Sequence, residues 1–195
     1  MAVRSAPFTF ANAFTSDVFG GNPAATVFLD TSKEPLEVLQ GISKNFNQPM
    51  TTFVTPLSRQ LRLGETVVAA DVRFVTVTGV EVPICGHGSL AAAKALLGLP
   101  REASLEIKEI RFNTIKGVVI TIKVLPTGFL EMELPAAVLE PLPVDEHQRI
   151  VDIMNEAFGR ELKINNVVRG AGNFSHGAFW CLDSKEAQTP QLTLR

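Results

Sequence analysis

The chain has 195 residues, 18 Lys and Arg against 20 Asp and Glu, and a formal net charge of -2. That length makes one full domain or two small ones and buries a core without disulfides or metal as staples. A hydrophobic fraction of 46% against 19% charged excludes a disordered chain, and the even charge balance excludes a dedicated nucleic-acid binder, which carries a basic face.

The first twenty residues include Arg4 and Asp17 and lack the apolar core of a signal peptide. No stretch reaches the roughly 20 apolar residues of a membrane span. The expected location is the cytoplasm, with no membrane partner. Pro7–Phe14 alternates apolar and polar residues, as a half-buried strand does. Gly20-Gly21-Asn22-Pro23 is a turn by composition, and Ala24–Leu29 a second strand. Thr31-Ser32-Lys33-Glu34 has the pattern of a capping box, and Leu36, Leu39, Ile42 and Phe46 predict a helix over 35–46. Thr51–Thr55 and Val67–Val77 read as strands. Glu81–Cys85 approaches the turn Gly86-His87-Gly88, and Ser89–Leu97 is a helix closed by Gly98 and Pro100. Ser104–Phe112, Val118–Leu125 and Phe129–Leu134 predict an antiparallel meander. Pro135–Pro143 reads as a linker. Val144–Phe158 is an amphipathic helix with an apolar stripe through Ile150, Ile153, Met154 and Phe158. Leu162–Val168 and Ala178–Leu182 are two short strands. The class is α+β, with a first domain over 1–135 and a second, partial one over 136–195.

The most informative run is Glu81 to Ala93. A strand leading through a glycine turn into a helix N-terminus leaves free N–H groups and a helix dipole, a natural anion site. A carboxylate is its natural small guest, with His87 and Ser89 as hydrogen-bonding candidates. The plainer reading is a tight turn with Gly86 and Gly88 at positive φ and Ser89 as helix N-cap.

Within it, Cys85-Gly86-His87-Gly88-Ser89-Leu90-Ala91-Ala92-Ala93 resembles the C-G-H-A-T-L-A-A-A motif of the PhzF-like, or phenazine-biosynthesis-like, isomerases. Four further segments agree in order. Ala13-Phe14-Thr15 with Phe19–Ala25 is similar to that family's A-F-T…F-G-G-N-P-A-A opening. Asn47, Thr51, Phe53 and Val54 match its N-x-S-E-T-x-F-V. Arg73-Phe74 and Glu81 match its R-x-F-T-P-x-x-E, and Phe112-Asn113-Thr114 with Gly117 its F-x-T-x-x-G. The resemblance covers residues 7–135 well.

It implies a diaminopimelate-epimerase-like fold, a mixed sheet rolled around a central helix formed by 89–97. The activity implied is isomerisation or epimerisation of a small carboxylated metabolite by proton transfer, in biosynthetic metabolism, without cofactor or metal. The substrate-binding positions carried over are Asn22, Met50, Gly86 and His87, joined by Gly88 and Ser89 from the turn.

Two departures set the expectations apart from the family. The acid-base Glu position is Met50, and a thioether has no proton to exchange. Met50 is then either a polarizable wall for an apolar substrate or a core or cleft-lining residue. The late Asp and Gly-Ser turn of the second domain are missing before Arg195, so that domain reads as truncated. Proton transfer then falls to His87 or to Glu81, which shares a face with Cys85 if 81–85 is extended. The alternative function is a non-catalytic binding protein, a decayed paralogue that keeps the pocket without the acid-base Glu. Cys85 stands where related racemases place a thiol, while Cys181 lies in an apolar strand and reads as core. His147 reads as solvated and His176 as a loop residue. Three scattered histidines make no metal set. An unfinished second domain exposes strand edges, so the expected partner, besides a small-molecule substrate, is a second copy or another chain.

Overall fold

The computed structural model describes residues 5–17, 19–55, 66–100, 106–134, 139–170 and 178–182. The chain divides into two compact units, residues 1–135 and 136–193.

The first unit is a mixed, curled sheet, a half-barrel, with strand order β1-β2-β3-β4-β6-β7-β8. These strands are β1 (Phe8–Ala13), β2 (Asn22–Phe28), β3 (Met50–Val54), β4 (Val67–Thr76), β6 (Glu109–Thr114), β7 (Val119–Val124) and β8 (Leu130–Glu133). The two-residue β5 (Glu81–Val82) pairs with β4 off this path. The meander read from the sequence is β6-β7-β8, antiparallel throughout.

Two parallel pairs, β2 with β3 and β4 with β6, each need a crossover. Helix α1 (Leu36–Phe46) makes the first and helix α2 (Gly86–Leu97) the second. They pack on opposite faces of the sheet. Leu39 of α1 packs with Val27, Phe53 and Val75, while Ala91, Ala92, Ala93 and Leu96 of α2 pack with Ala24, Val54, Val72, Phe74, Ile110, Phe112 and Ile122. A helix apolar on most sides belongs inside a fold, and three consecutive buried alanines let strands close in around it. On β1 the other face carries Phe8 and Phe10, whose rings stand 5.0 and 5.4 Å from Phe46 of α1.

Three boundaries differ from the sequence reading. The capping box does not form: the Asp30 carboxylate accepts from Ser32 N–H and caps a short 3-10 turn, and Thr31 Oγ1 instead meets Thr55 Oγ1 at 3.2 Å. Helix α2 begins at Gly86 rather than Ser89, with Cys85 in the N-cap position. Gly86 and Gly88 are therefore first-turn helical residues, absent from the positive-φ positions among the described residues. The 135–143 stretch is no simple linker, since Leu139–Pro141 forms β9; residues 135–138 lie outside the described residues.

The second unit holds β9, helix α3 (Val144–Phe158), β10 (Ile164–Gly170) and β11 (Ala178–Leu182), with sheet order β11-β10-β9. Gly159 ends α3 in the left-handed conformation, and Asn155 Oδ1 accepts from Leu162 N–H at 2.8 Å. The apolar stripe of α3 is open: Ile153 and Phe158 are more than half exposed.

Candidate functional site

The N-terminal turn of α2 is built by close approach. Strand β3 runs beside it, and Thr52 Oγ1 donates to Gly88 O at 3.1 Å. A Cβ at Gly88 would lie 2.7 Å from Thr52 Oγ1, 3.0 Å from Met50 Cγ and 3.2 Å from Cys85 Sγ. Glycine is required there by space, not by backbone angle. Ser89 is fully buried; its hydroxyl donates to Cys85 O at 2.7 Å and its N–H to the same oxygen at 3.0 Å. Ser89 is thus not the N-cap, and its side chain holds the turn together from within.

The first intrahelical bond of α2 is that Ser89 N–H, so Gly86, His87 and Gly88 carry the orphan donors. Two of them are engaged: the N–H groups of Gly88 and His87 both reach the Cys85 sulfur. The Nδ1 of His87 stands 3.4 Å from the same sulfur. Burial pushes the Cys85 thiol up, and the two N–H groups offset only part of that. Burial pushes the His87 imidazole down from its ordinary value. Both groups are neutral near neutral pH. The Nε2 of His87 is buried and has no hydrogen-bond partner among the described residues.

Glu81 does not join this pair. It meets Arg73 in a bidentate pair, Nε to Oε1 at 2.5 Å and Nη2 to Oε2 at 3.0 Å, both side chains less than a fifth exposed. Glu81 pairs with Val75, which faces α1, whereas the next residue Val82 packs in the core with Cys85. The shared face expected for Glu81 and Cys85 is lost because the strand ends at Val82. Arg73 was visible in the sequence; its partner eight residues on required the β4–β5 pairing.

Met50 is 6% exposed and sits in the core cluster with Cys85 and Phe74. Asn22 opens β2 on the same face as Ala24 and is half-buried, with no side-chain partner among the described residues. His147 is half-buried on α3, Cys181 lies in β11 opposite Asn166, and His176 lies outside the described residues. Among the described residues no three His, Cys, Asp or Glu side chains converge as a metal site, and no helix is long and apolar enough to cross a membrane.

A curled mixed sheet around a small-residue helix, with a Cys-Gly-His turn at its N-terminus, defines a recognisable class. The family model described as phenazine biosynthesis-like protein matches residues 11–177, and the chain belongs to that family. It is 30% identical over 185 residues to the mouse (Mus musculus) phenazine biosynthesis-like domain-containing protein 1, covering 82% of this chain and 62% of that one. It is 29% identical over 134 residues to an uncharacterized isomerase of Halalkalibacterium halodurans, covering 69% and 45%. The chain therefore spans roughly half to three fifths of these relatives' length. The fold is that of a PhzF-family phenazine biosynthesis protein from Enterococcus faecalis, at TM-score 0.63 and 23% identity over 94% of this chain and 59% of that one. A predicted epimerase from Pseudomonas aeruginosa matches at TM-score 0.58 and 21% identity, over 94% and 66%.

Proposed function

We propose that this chain acts as a cofactor-independent isomerase or epimerase on a small carboxylated metabolite in biosynthetic metabolism, with His87 as the group that moves the proton. The observation that carries this is the His87 ring: oriented through Nδ1 by Cys85, neutral near neutral pH, and with Nε2 unclaimed by the described chain. When Nδ1 carries the proton and donates to sulfur, Nε2 is a base; when Nδ1 accepts the thiol proton, Nε2 is an acid. The free N–H of Gly86 and the amide of Asn22 are the proposed partners of the substrate carboxylate. Glu81 is set aside, since Arg73 holds both its oxygens. The cytoplasm is the proposed location, and a homodimer or a complex with another chain the proposed assembly, supported by the open apolar stripe of α3, where Ile153 and Phe158 are more than half exposed.

The test is deuterium incorporation. The 195-residue protein is incubated with a panel of small carboxylic acids in deuterated water, and carbon-bound deuterium is read by mass spectrometry. The expected result is uptake that falls at least about 100-fold in His87→Gln, the scale of a lost general acid-base, and persists in Glu81→Gln. Uptake unchanged in His87→Gln overturns the assignment.

The buried Met50 supports a second reading, a binding protein that retains the pocket without turnover. Saturable carboxylate binding with no deuterium uptake, and uptake gained in Met50→Glu, is the outcome that favours it over the first.

A further inference from the structure

The half-barrel does not close. Strands β1 and β8 end the sheet, and between them a cleft of about 680 Å³ opens onto the side of α2. That volume lies within the range of small-molecule sites, roughly 300–1,000 Å³. Leu90 and the exposed Lys94 of α2, one helical turn apart, line it. Lys94 lies about 10 Å along the helix from His87, so the seam is separate from the turn that carries the proposed proton transfer.

Three observations give this cleft a chemical preference. Its two lips are Phe14 and Phe129, 46% and 52% exposed. Phe14 is held at φ +62°, a conformation bulky residues avoid, by the turn that follows it, in which Asp17 N–H donates to Thr15 Oγ1 at 2.8 Å and Phe19 N–H to Asp17 Oδ1 at 3.0 Å. Phe129 is set opposite by the tight β7–β8 turn, in which Leu125 N–H donates to Phe129 O at 2.9 Å. The charged groups lining the cleft are Lys94 and Glu131. Glu131 has Lys123 at 3.9 Å, whereas Lys94 has no ion pair among the described residues.

We propose that the seam between β1 and β8 is a binding site for a small apolar monocarboxylate, its flat apolar body between Phe14 and Phe129 and its carboxylate on Lys94. Lys94 is exposed and is the one cation among the described residues that line the cleft, so its ammonium favours an acid over its neutral amide by about two- to fivefold, the worth of a solvated charge pair.

Isothermal titration calorimetry of the full chain with naphthoate and naphthamide tests this. The expected result is naphthoate binding about two- to fivefold tighter than naphthamide, with the preference abolished in Lys94→Met and the amide affinity kept. Phe14→Gly, which suits the +62° backbone and so preserves the turn, weakens both ligands, and Phe129→Ala does the same. His87→Ala leaves naphthoate binding unchanged. Several outcomes overturn the proposal: no binding of either ligand, equal affinity for acid and amide, or an acid preference that survives Lys94→Met. So do binding lost in His87→Ala, which moves the ligand to the start of α2, and affinity that weakens as protein concentration rises, which marks a second copy seated in the seam.

Discussion

Replacing Gly88 by alanine separates the two physical roles a glycine in a helix can have. Helix propensity alone favours alanine by about 0.8–1.0 kcal/mol in a helix interior. Space opposes it, because the new methyl would stand 2.7 Å from Thr52 Oγ1 and 3.0 Å from Met50 Cγ. Neither neighbour yields easily: Thr52 is fully buried and bonded to Gly88 O, and Met50 is wedged in the core. Overpacking costs about 1–3 kcal/mol, and two unyielding neighbours at 3.0 Å or less put this site in the upper part of that range, about 2–3 kcal/mol, so the net expectation is a loss of about 1–2 kcal/mol. With a urea slope of about 2 kcal/mol/M, the middle of the usual range, the midpoint falls by about 0.5–1 M. Gly41 is the internal control. It lies exposed in α1 with nothing within 4 Å of an added Cβ, so Gly41→Ala raises stability by about 1 kcal/mol. Gly86→Ala meets only the mobile end of Met132 at 3.2 Å and stays near neutral. The first unit contains neither Trp nor Tyr, because the sole tryptophan is Trp180 and the chain has no tyrosine. Far-ultraviolet circular dichroism in urea, which needs no aromatic reporter, therefore follows the unfolding. A Gly88→Ala protein as stable as the parent, beside a stabilised Gly41→Ala, would refute the packing of β3 against the start of α2.

The remaining predictions concern charge and protonation. Glu81→Gln breaks the bidentate pair and strands Arg73, lowering stability by about 1–3 kcal/mol, and urea unfolding checks it beside an unchanged deuterium assay. His87, held below its ordinary value of 6.5 by burial, takes up a proton later than the unfolded chain does. Stability is therefore lost as pH falls below 6.5 toward the folded value; urea midpoints at a series of pH values show that slope, and His87→Gln flattens it. Cys85 behaves with the opposite sense: its thiol, held above the ordinary 9.0, keeps a proton the unfolded chain releases. Stability then declines as pH rises past 9.0, and Cys85→Ala removes the decline. In the native protein Cys85 also resists alkylation until denaturant is added, because burial keeps it a thiol; rapid native labelling at Cys85, seen by peptide mass mapping, would contradict that placement.

Much of the fold was legible because it rests on local pattern. Apolar spacing marks α1, alternation marks β6-β7-β8, and the ordered motifs from Ala13 to Gly117 carry the family. That position 50 carries a methionine, with no carboxylate, was equally plain, since it is a matter of residue type. What local pattern could not supply was partnership across the chain. Thr31 heads a capping motif, yet Asp30 takes the cap because its carboxylate is the stronger acceptor and Thr55 lies within reach of the displaced hydroxyl. Glu81 is one acid among twenty acidic residues until β5 folds back on β4 and brings Arg73 to it. Ser89 has the chemistry of a cap, but helical periodicity from Gly86 turns it inward. Sequence alone thus determined the family and the central helix. Tertiary structure alone decided which polar groups are already taken and which stay free, because a hydrogen bond or ion pair is satisfied by whatever folding brings within about 3 Å, at any distance along the chain.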